Sequence, residues 1–160
     1  MDVTLTSVGY SYMIGDFDAA IKEASEALTN QKLKQKYRDF LESYLIRSTV
    51  LGNPDLTRNE LELMLNKMSI SDLSLAEKTK SVSIALYDLT IAHQSNDYFE
   101  ELENKFKYQQ LEITYYQALN SKLKGDMIRV NELFRKLAQE DEKLYIVRKS
   151  KEFLNSESIN

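Results

Sequence analysis

The sequence contains no cysteine and no tryptophan, and it has only one proline and four glycines among 160 residues. Without cysteine there is no disulfide framework, no thiolate metal ligand and no thiol nucleophile. An all-β chain of this length would need many tight turns, which mostly use glycine, asparagine or proline. The scarcity of these breakers, together with many Leu, Lys, Glu and Ala residues, favours long helices joined by short loops.

The sequence also contains no long block of charge of one sign and no long hydrophobic run. The formal net charge is −4, and the densest basic segment, residues 32–38, spaces its four cations by two, which spreads them around a helix. We therefore do not expect this chain alone to bind nucleic acid, which requires a clustered basic surface. The sequence start lacks the features of a signal peptide, and no run approaches the roughly 20 apolar residues of a membrane span. We expect a cytoplasmic protein without a membrane partner.

The apolar residues recur with helical spacing almost throughout, and no stretch alternates with period two for long enough to predict a strand. The pattern predicts about nine helices, at residues 3–14, 17–29, 32–51, 56–68, 73–94, 98–107, 109–124, 127–139 and 142–155. Short connections place consecutive helices antiparallel, and a helix with one apolar stripe must be covered by a neighbour. The sequence therefore predicts an all-α fold of stacked antiparallel αα-hairpins.

We expect a single helical-repeat domain over residues 1–160. The repeat-like pairs span roughly 3–29, 32–68, 73–107 and 109–139, followed by a capping helix at 142–155. Gly15, Gly52 and Gly125 each follow the last periodic residue of a helix, where we expect left-handed backbone. Thr57 with Glu60, and Ser74 with Glu77, have the spacing of a capping box.

One segment resembles the tetratricopeptide repeat. Residues 15–21 read Gly-Asp-Phe-Asp-Ala-Ala-Ile, and Ala27-Leu28 follows. In that family a Gly-Asp-aromatic turn links two helices, and small residues such as Ala20 and Ala27 let the pair pack closely. Gly9 and Tyr12 resemble the Gly and Tyr of the first helix, each one residue closer to the turn. Gly125-Asp126-Met127 repeats the turn, and weaker copies begin at residues 52 and 96.

The resemblance implies a right-handed superhelix or a short array with a concave groove that binds a peptide or a protein helix. The irregular repeats also resemble the helical peptide-sensing domain of pheromone-responsive regulators from Gram-positive bacteria. That similarity implies a bacterial regulatory or sensory domain that lacks its effector part. A helical bundle without repeats is the structural alternative.

The sequence gives little support for an enzyme. His93 is the single histidine, so a catalytic triad or a histidine zinc site would have to use it, and we assign it to a helix end or to packing. The acidic groups near residues 16, 97 and 141 fall where helices begin, and negative charge is favourable there. No Gly-rich phosphate loop is present. We expect no catalytic residue, no cofactor and no metal ion.

Ten tyrosines are the strongest indication of a binding surface, since most lie on the first helices of the proposed pairs. Tyrosine offers apolar area at low entropy cost together with a hydroxyl group, which suits peptide recognition, although it also serves as core. Amide and guanidinium groups on the same helix faces can bind a peptide backbone or carboxylate. The predicted peptide-binding residues are Tyr44, Arg47, Tyr87, Thr90, Gln94, Tyr116 and Asn120.

A second hypothesis is a regulatory domain that forms a homodimer through its terminal helices. Residues 142–155 contain Tyr145, Ile146, Val147, Phe153 and Leu154. This is more apolar surface than a solvent-facing end helix needs.

Overall fold

The computed structural model describes residues 3–159, and these residues contain helices and no strand. The α-helices are α1 (Val3–Ile14), α2 (Phe17–Leu28), α3 (Gln35–Gly52), α4 (Arg58–Asn66), α5 (Leu73–Tyr87), α6 (Lys107–Leu123), α7 (Met127–Leu137) and α8 (Tyr145–Ile159). The all-α prediction is confirmed, with eight α-helices among the described residues and not nine.

The difference in number arises at the predicted helix over 98–107. Only a short 3₁₀ segment, Asp97–Glu101, forms there. Beyond it, the Asn104 side chain accepts a hydrogen bond from the backbone N–H of Phe106 at 2.9 Å. Such local side-chain bonds offer the backbone an alternative to the helix, so the chain turns before α6 begins.

The predicted helix over 73–94 also changes character along its length. It is α-helical as far as Tyr87, and Asp88–Ala92 forms a π-helical turn. His93 then has a positive φ of 52°, which ends the helix. The side chain of His93 is exposed, in agreement with a position at a helix end.

The two Gly-Asp turns have the same local geometry. Gly15 and Gly125 have φ angles of 83° and 81°, the left-handed region in which glycine carries no Cβ penalty. The side chains of Asp16 and Asp126 each accept a bond of 3.2 Å from the backbone N–H three residues ahead. Each aspartate therefore caps the following helix, α2 or α7.

The left-handed backbone expected at Gly52 is wrong, because Gly52 is the last residue of α3 and is not among the positive-φ glycines. Its role is close packing instead: a Cβ at Gly52 would lie 2.9 Å from the Cβ of Phe17. The cap at Thr57 is confirmed, since its hydroxyl accepts from the N–H of Glu60. The cap at Ser74 is wrong, since Asp72 caps α5 by accepting from the N–H of Leu75.

The chain divides into two compact units, residues 1–87 and residues 88–160. In the first unit α1, α2 and α3 pack against one another, and α4 and α5 pack against α3. Its centre is the fully buried set Val8, Ala20, Ala24 and Leu41. Ala20 is therefore a close-packing residue at the centre of the first unit, and the resemblance to the repeat stays a prediction.

The second unit is organised around α6, which packs against residues 88–92, the 3₁₀ segment, α7 and α8. Aromatic rings dominate its core. The Phe99 ring stacks on Tyr116 with centroids 4.9 Å apart, and Phe134 lies 4.8 Å from Phe153. The stacking of hairpins into one right-handed superhelical domain stays a prediction.

Candidate functional site

The seven predicted peptide-binding residues fall into both units. The first unit contains Tyr44 and Arg47 on α3 and Tyr87 at the end of α5. The second contains Thr90 in the π-helical turn, Gln94 after it, and Tyr116 and Asn120 on α6.

Tyr44 and Arg47 are brought together as predicted. The Arg47 guanidinium carbon lies 4.6 Å from the centre of the Tyr44 ring and 5.0 Å from that of the Tyr12 ring on α1. The Tyr12 and Tyr44 rings meet edge to face, with centroids 5.5 Å apart. Cation–π attraction and the ring contact together fix the direction of the guanidinium.

The backbone around this cluster is also arranged for close approach. Arg47 Nε donates a hydrogen bond of 3.3 Å to the carbonyl of Ser43, one turn earlier on α3. A Cβ at Gly9 would lie 3.2 Å from the Tyr44 hydroxyl, so the small residue on α1 makes room for this ring. Tyr44 and Arg47 remain only partly buried, whereas Tyr12 is buried.

Phe40 lies on the same side of α3 as Tyr44 and Arg47, closer to the start of the helix. It precedes Tyr44 by four residues and Arg47 by seven, spacings that keep side chains on one face of a helix. Its side chain is 39% exposed, which is unusual for Phe. We call Phe40, Tyr44 and Arg47 the α3 surface.

Beside Phe40 lies a depression of about 390 Å³, lined by Gln35, Lys36, Asp39, Phe40, Ser71, Asp72 and Leu75. This volume is within the range of small ligand clefts, roughly 300–1,000 Å³. Phe40 and Leu75 are its apolar lining residues, and the other five are polar or charged.

Asp39 holds that segment in place. Its buried carboxylate accepts hydrogen bonds from the Gln35 side chain, from the N–H and hydroxyl of Ser71, and from the N–H of Asp72, at 2.7–3.2 Å. Burial alone would raise the pKa of Asp39, but these four donors outweigh it and hold the pKa below its ordinary value. Glu42 adds two bonds from Ser69.

Tyr87 lies elsewhere in the first unit. The Arg58 guanidinium carbon from α4 is 6.0 Å from the centre of its ring, at the outer limit of a cation–π contact. Tyr87 is half-buried, and its part in peptide binding stays a prediction.

In the second unit, Tyr116 and Asn120 are each only 1% exposed. The Asn120 amide group donates to Asp97 and to Glu100, both at 2.9 Å, and its oxygen accepts from the N–H of Asn96 at 3.0 Å. Tyr116 is stacked on Phe99. Both side chains therefore hold residues 96–100 against α6, and their role in peptide binding stays a prediction.

Charged groups complete this network at its outer edge. Arg129 donates two bonds to the Glu100 carboxylate, at 2.7 and 3.2 Å, and one to the hydroxyl of Ser121. These Arg129 bonds hold the pKa of Glu100 below its ordinary value. Lys124 and Asn120 do the same for Asp97. The acidic group near residue 97 therefore lies where a helix begins, as we expected, and is also paired with cations.

Thr90 is half-buried and Gln94 is exposed. The backbone N–H of Gln94 donates to the carbonyl of Asp88 at 2.8 Å, which closes the turn around His93. The part of Thr90 and Gln94 in peptide binding also stays a prediction.

The apolar residues of the terminal helix are used within the second unit. Ile146 and Val147 on α8 are 2% and 0% exposed, and Phe153 packs on Phe134. Tyr145 and Leu154 are half-buried. These contacts leave α8 little apolar area with which to form a dimer interface. Homodimerisation through this helix stays a prediction.

Sequence reasoning missed the exposure of Phe40. Helical spacing places it in one long stripe of the third predicted helix, made of Leu33, Tyr37, Phe40, Leu41, Tyr44, Leu45, Ser48 and Leu51. That stripe contained eight residues over five turns and was wider than one buried face. Its width was the available signal that one edge lies at the surface. The contribution of Asp39 had no comparable signal, because its partners are 32 and 33 residues away.

Over residues 3–159, no cluster of three or more His, Asp or Glu side chains could hold a metal ion. Among the same residues, no helix has both the length and the apolar character needed to cross a bilayer.

Comparisons with protein-family models, with curated protein sequences and with solved structures gave no match to this chain.

Proposed function

We propose that this chain is a non-enzymatic helical module of the tetratricopeptide type, which binds a peptide or a protein helix through the α3 surface. The observation that carries the proposal is the Arg47 guanidinium held across the rings of Tyr12 and Tyr44. Aromatic and arginine side chains contribute the largest share of binding energy at protein interfaces.

The cluster is fixed before any ligand arrives. A long arginine side chain normally loses rotamer freedom when it binds, and that loss weakens binding. Here two rings and the Ser43 carbonyl already restrict Arg47. A partly exposed guanidinium in a fixed direction suits a carboxylate or a peptide carbonyl, which it contacts through paired N–H groups.

The Gly15-Asp16 turn and the close packing of α1, α2 and α3 support the tetratricopeptide type. In such an arrangement α1 and α3 are the first helices of two hairpins. These helices carry the tyrosines of the cluster, on α1 at Tyr12 and on α3 at Tyr44.

The test is a selection of phage-displayed random peptides on the immobilised chain, followed by fluorescence anisotropy with the selected sequences as labelled synthetic peptides. We expect Kd values in the micromolar range, weakened roughly tenfold or more by Arg47→Ala. Arg135→Ala, which removes an exposed arginine of α7, is the matched control and should leave Kd unchanged.

Circular dichroism of each variant verifies that the helices are intact. Two results would contradict the proposal: a selection that enriches no peptide, or equal weakening by Arg47→Ala and Arg135→Ala.

A further inference from the structure

After α5, the chain adopts two uncommon backbone conformations in succession. Asp88–Ala92 forms a π-helical turn, a rare conformation that frequently occurs at functional sites. His93 follows with a φ of 52°, and over the described residues 3–159 it is the single residue other than glycine with a positive φ. In this conformation the Cβ of an L-residue crowds the backbone, which costs free energy. Residues 88–93 are therefore strained.

The local sequence favours an ordinary α-helix over the same residues. Residues 88–94 contain neither glycine nor proline, and helical apolar spacing continues through Leu89 and Ala92, so the sequence predicts a helix as far as residue 94. The observed bonding differs: the N–H of Gln94 donates to the carbonyl of Asp88, six residues earlier, at 2.8 Å. An α-helical bond spans only four residues. Local preference and tertiary structure thus disagree here, and such disagreement brings alternative conformations closer in energy.

Asn96 ties the observed conformation to the rest of the second unit. Its side-chain amide donates at 2.9 Å to the carboxylate of Asp88, the buried first residue of the π-helical turn. Its amide oxygen accepts from the N–H of Tyr98 at 3.0 Å, and its backbone N–H donates to Asn120 on α6 at 3.0 Å. A hydrogen bond to a carboxylate is stronger than one between neutral groups. The Asn96–Asp88 bond therefore favours the π-helical turn over the α-helix.

We propose that residues 88–96 are a two-state conformational switch. In the observed state the Asn96–Asp88 bond holds the π-helical turn and the left-handed His93. In the second state this bond is broken, and an ordinary α-helix continues through Gln94. A π-helical bond spans one residue more than an α-helical bond, and one residue corresponds to about 100° of rotation around an α-helix. The transition therefore turns the side chains of residues 91–94 by about that angle. It does not involve the α3 surface.

The position of residues 96–100 on α6 controls the switch. The Asn120 side chain accepts from the N–H of Asn96 and donates to Asp97 and Glu100. Any event that detaches this segment from α6 therefore also moves Asn96 away from Asp88. Asn120→Ala leaves the side chains of Asn96 and Asp88 chemically unchanged, and we expect it nevertheless to favour the α-helical state.

The test is amide relaxation dispersion in NMR spectra of the isotope-labelled full chain, which detects exchange between conformations on the microsecond to millisecond timescale. We expect dispersion in residues 88–96, with a second state populated at roughly 0.1–10%. The three-bond coupling between the amide and α protons of His93 reports the angle φ. It therefore shows whether the second state has lost the left-handed backbone.

Asn96→Asp replaces the amide donor with a carboxylate that repels Asp88, while it keeps the acceptor for Tyr98. The ratio of the second state to the first should rise roughly tenfold or more, because a hydrogen bond to a carboxylate is lost. The His93 coupling should move toward its α-helical value. Exchange of the pair, Asp88→Asn with Asn96→Asp, again places an amide beside a carboxylate and should reverse both changes.

Two further variants serve as controls. His93→Gly accepts left-handed backbone without a Cβ penalty and should lower the population of the second state. Asn131→Ala removes an exposed amide on α7 that donates to the carbonyl of Met127 and should change neither readout. Circular dichroism establishes that each variant folds, and Asn120→Ala gives an independent change in the same direction if Asn96→Asp does not fold.

Three results would overturn the switch. The first is flat dispersion over residues 88–96 in the unaltered chain together with an unchanged His93 coupling in Asn96→Asp. The second is disorder of residues 88–96 in Asn96→Asp in place of a helix. The third is a rise of the second state in Asn96→Asp that the exchanged pair does not reverse, since Asn96 would then act through a group other than Asp88.

Discussion

The hairpin of α1 and α2 and the hairpin of α6 and α7 contain the same kind of turn, but the residues that follow the turn are buried to different extents. Both turns combine a left-handed glycine with a capping aspartate, and the serine four residues before each glycine is buried. After the first turn, Phe17 is 8% exposed and meets the end of α3 at Gly52. After the second turn, Met127 is 37% exposed and Ile128 is 78% exposed.

The two units also use their aromatic and polar side chains in opposite ways. In the second unit, Tyr116 and Asn120 are buried and bonded to residues 96–100. In the first unit, Tyr44 and Arg47 form a cluster that remains partly exposed. Similar residue types at similar helical spacing are thus buried in the second unit and partly exposed in the first.

The largest expected effect tests the covered turn against the uncovered one. Phe17→Ala removes a buried aromatic side chain and should lower the free energy of unfolding by about 3 kcal/mol. Met127→Ala changes the corresponding position of the second hairpin and should cost about 1 kcal/mol, since that side chain already contacts solvent. Urea denaturation followed by circular dichroism measures both, and equal losses would show that the two turns are equally covered.

The buried network of the second unit gives the next effect. Asn120→Ala should cost about 2 kcal/mol, because a buried amide is removed and Asp97, Glu100 and the N–H of Asn96 lose their partner. Asn131→Ala is the control, since its amide makes one exposed bond to the carbonyl of Met127 and its loss should cost below about 0.5 kcal/mol. The free energies of unfolding of the two variants, measured by urea denaturation, should differ by more than about 1 kcal/mol, which is roughly the net contribution of one hydrogen bond. A smaller difference would contradict the structural role of Asn120.

Gly52, which packs closely, and Gly125, which lies in a turn, should rank the substitutions by Ala and Asn in opposite orders of destabilisation. Gly52→Ala meets Phe17 at 2.9 Å, and the larger Gly52→Asn should destabilise further, by roughly 1–3 kcal/mol in total. Gly125 has nothing within 4 Å of its Cβ position but a φ of 81°. There Asn, which tolerates left-handed backbone, should cost less than Ala, about 1 kcal/mol. Thermal or urea unfolding of the four variants gives the order, and the same order at both sites would be the contrary result.

Acid should weaken the Asp39 contribution to the first unit. Because the pKa of Asp39 is lowered in the folded chain, its stabilisation is complete above the ordinary value of 3.8 and is lost as the pH falls through the lowered value. Asp39→Asn should therefore cost roughly 1–2 kcal/mol at neutral pH, and the cost should shrink as the pH falls below the ordinary value of 3.8. Glu62→Gln, which alters an exposed pair with Arg58, should change urea denaturation little at any pH.

Much of the fold was predictable because helical spacing and capping are local. The bounds of α1 agree with the prediction, and both Gly-Asp turns form where the motif placed them. The predicted helix at 98–107 failed because Asn96 and Asn104 bond to nearby backbone and their effect outweighs apolar spacing. The predicted pair Tyr44 and Arg47 lies three residues apart on one helix, so its contact follows from helix geometry.

The rest of the site depends on contacts between distant residues, which periodicity does not encode. The depression beside Phe40 exists because Asp39 binds Ser71 and Asp72. Whether Asn120 faces a ligand or the protein depends on the path of residues 96–100, which lie 20 to 24 positions earlier. Helical spacing predicts which side chains share a face of a helix. Whether that face packs against another element or is exposed to solvent depends on tertiary contacts.

The most direct test of the account is a titration of the isotope-labelled chain with a selected peptide, followed in amide NMR spectra. We expect the amide signals of Phe40, Tyr44 and Arg47 to shift, while those of Tyr116 and Asn120 stay in place. Shifts centred on Tyr116 and Asn120, with the α3 surface unchanged, would contradict this expectation.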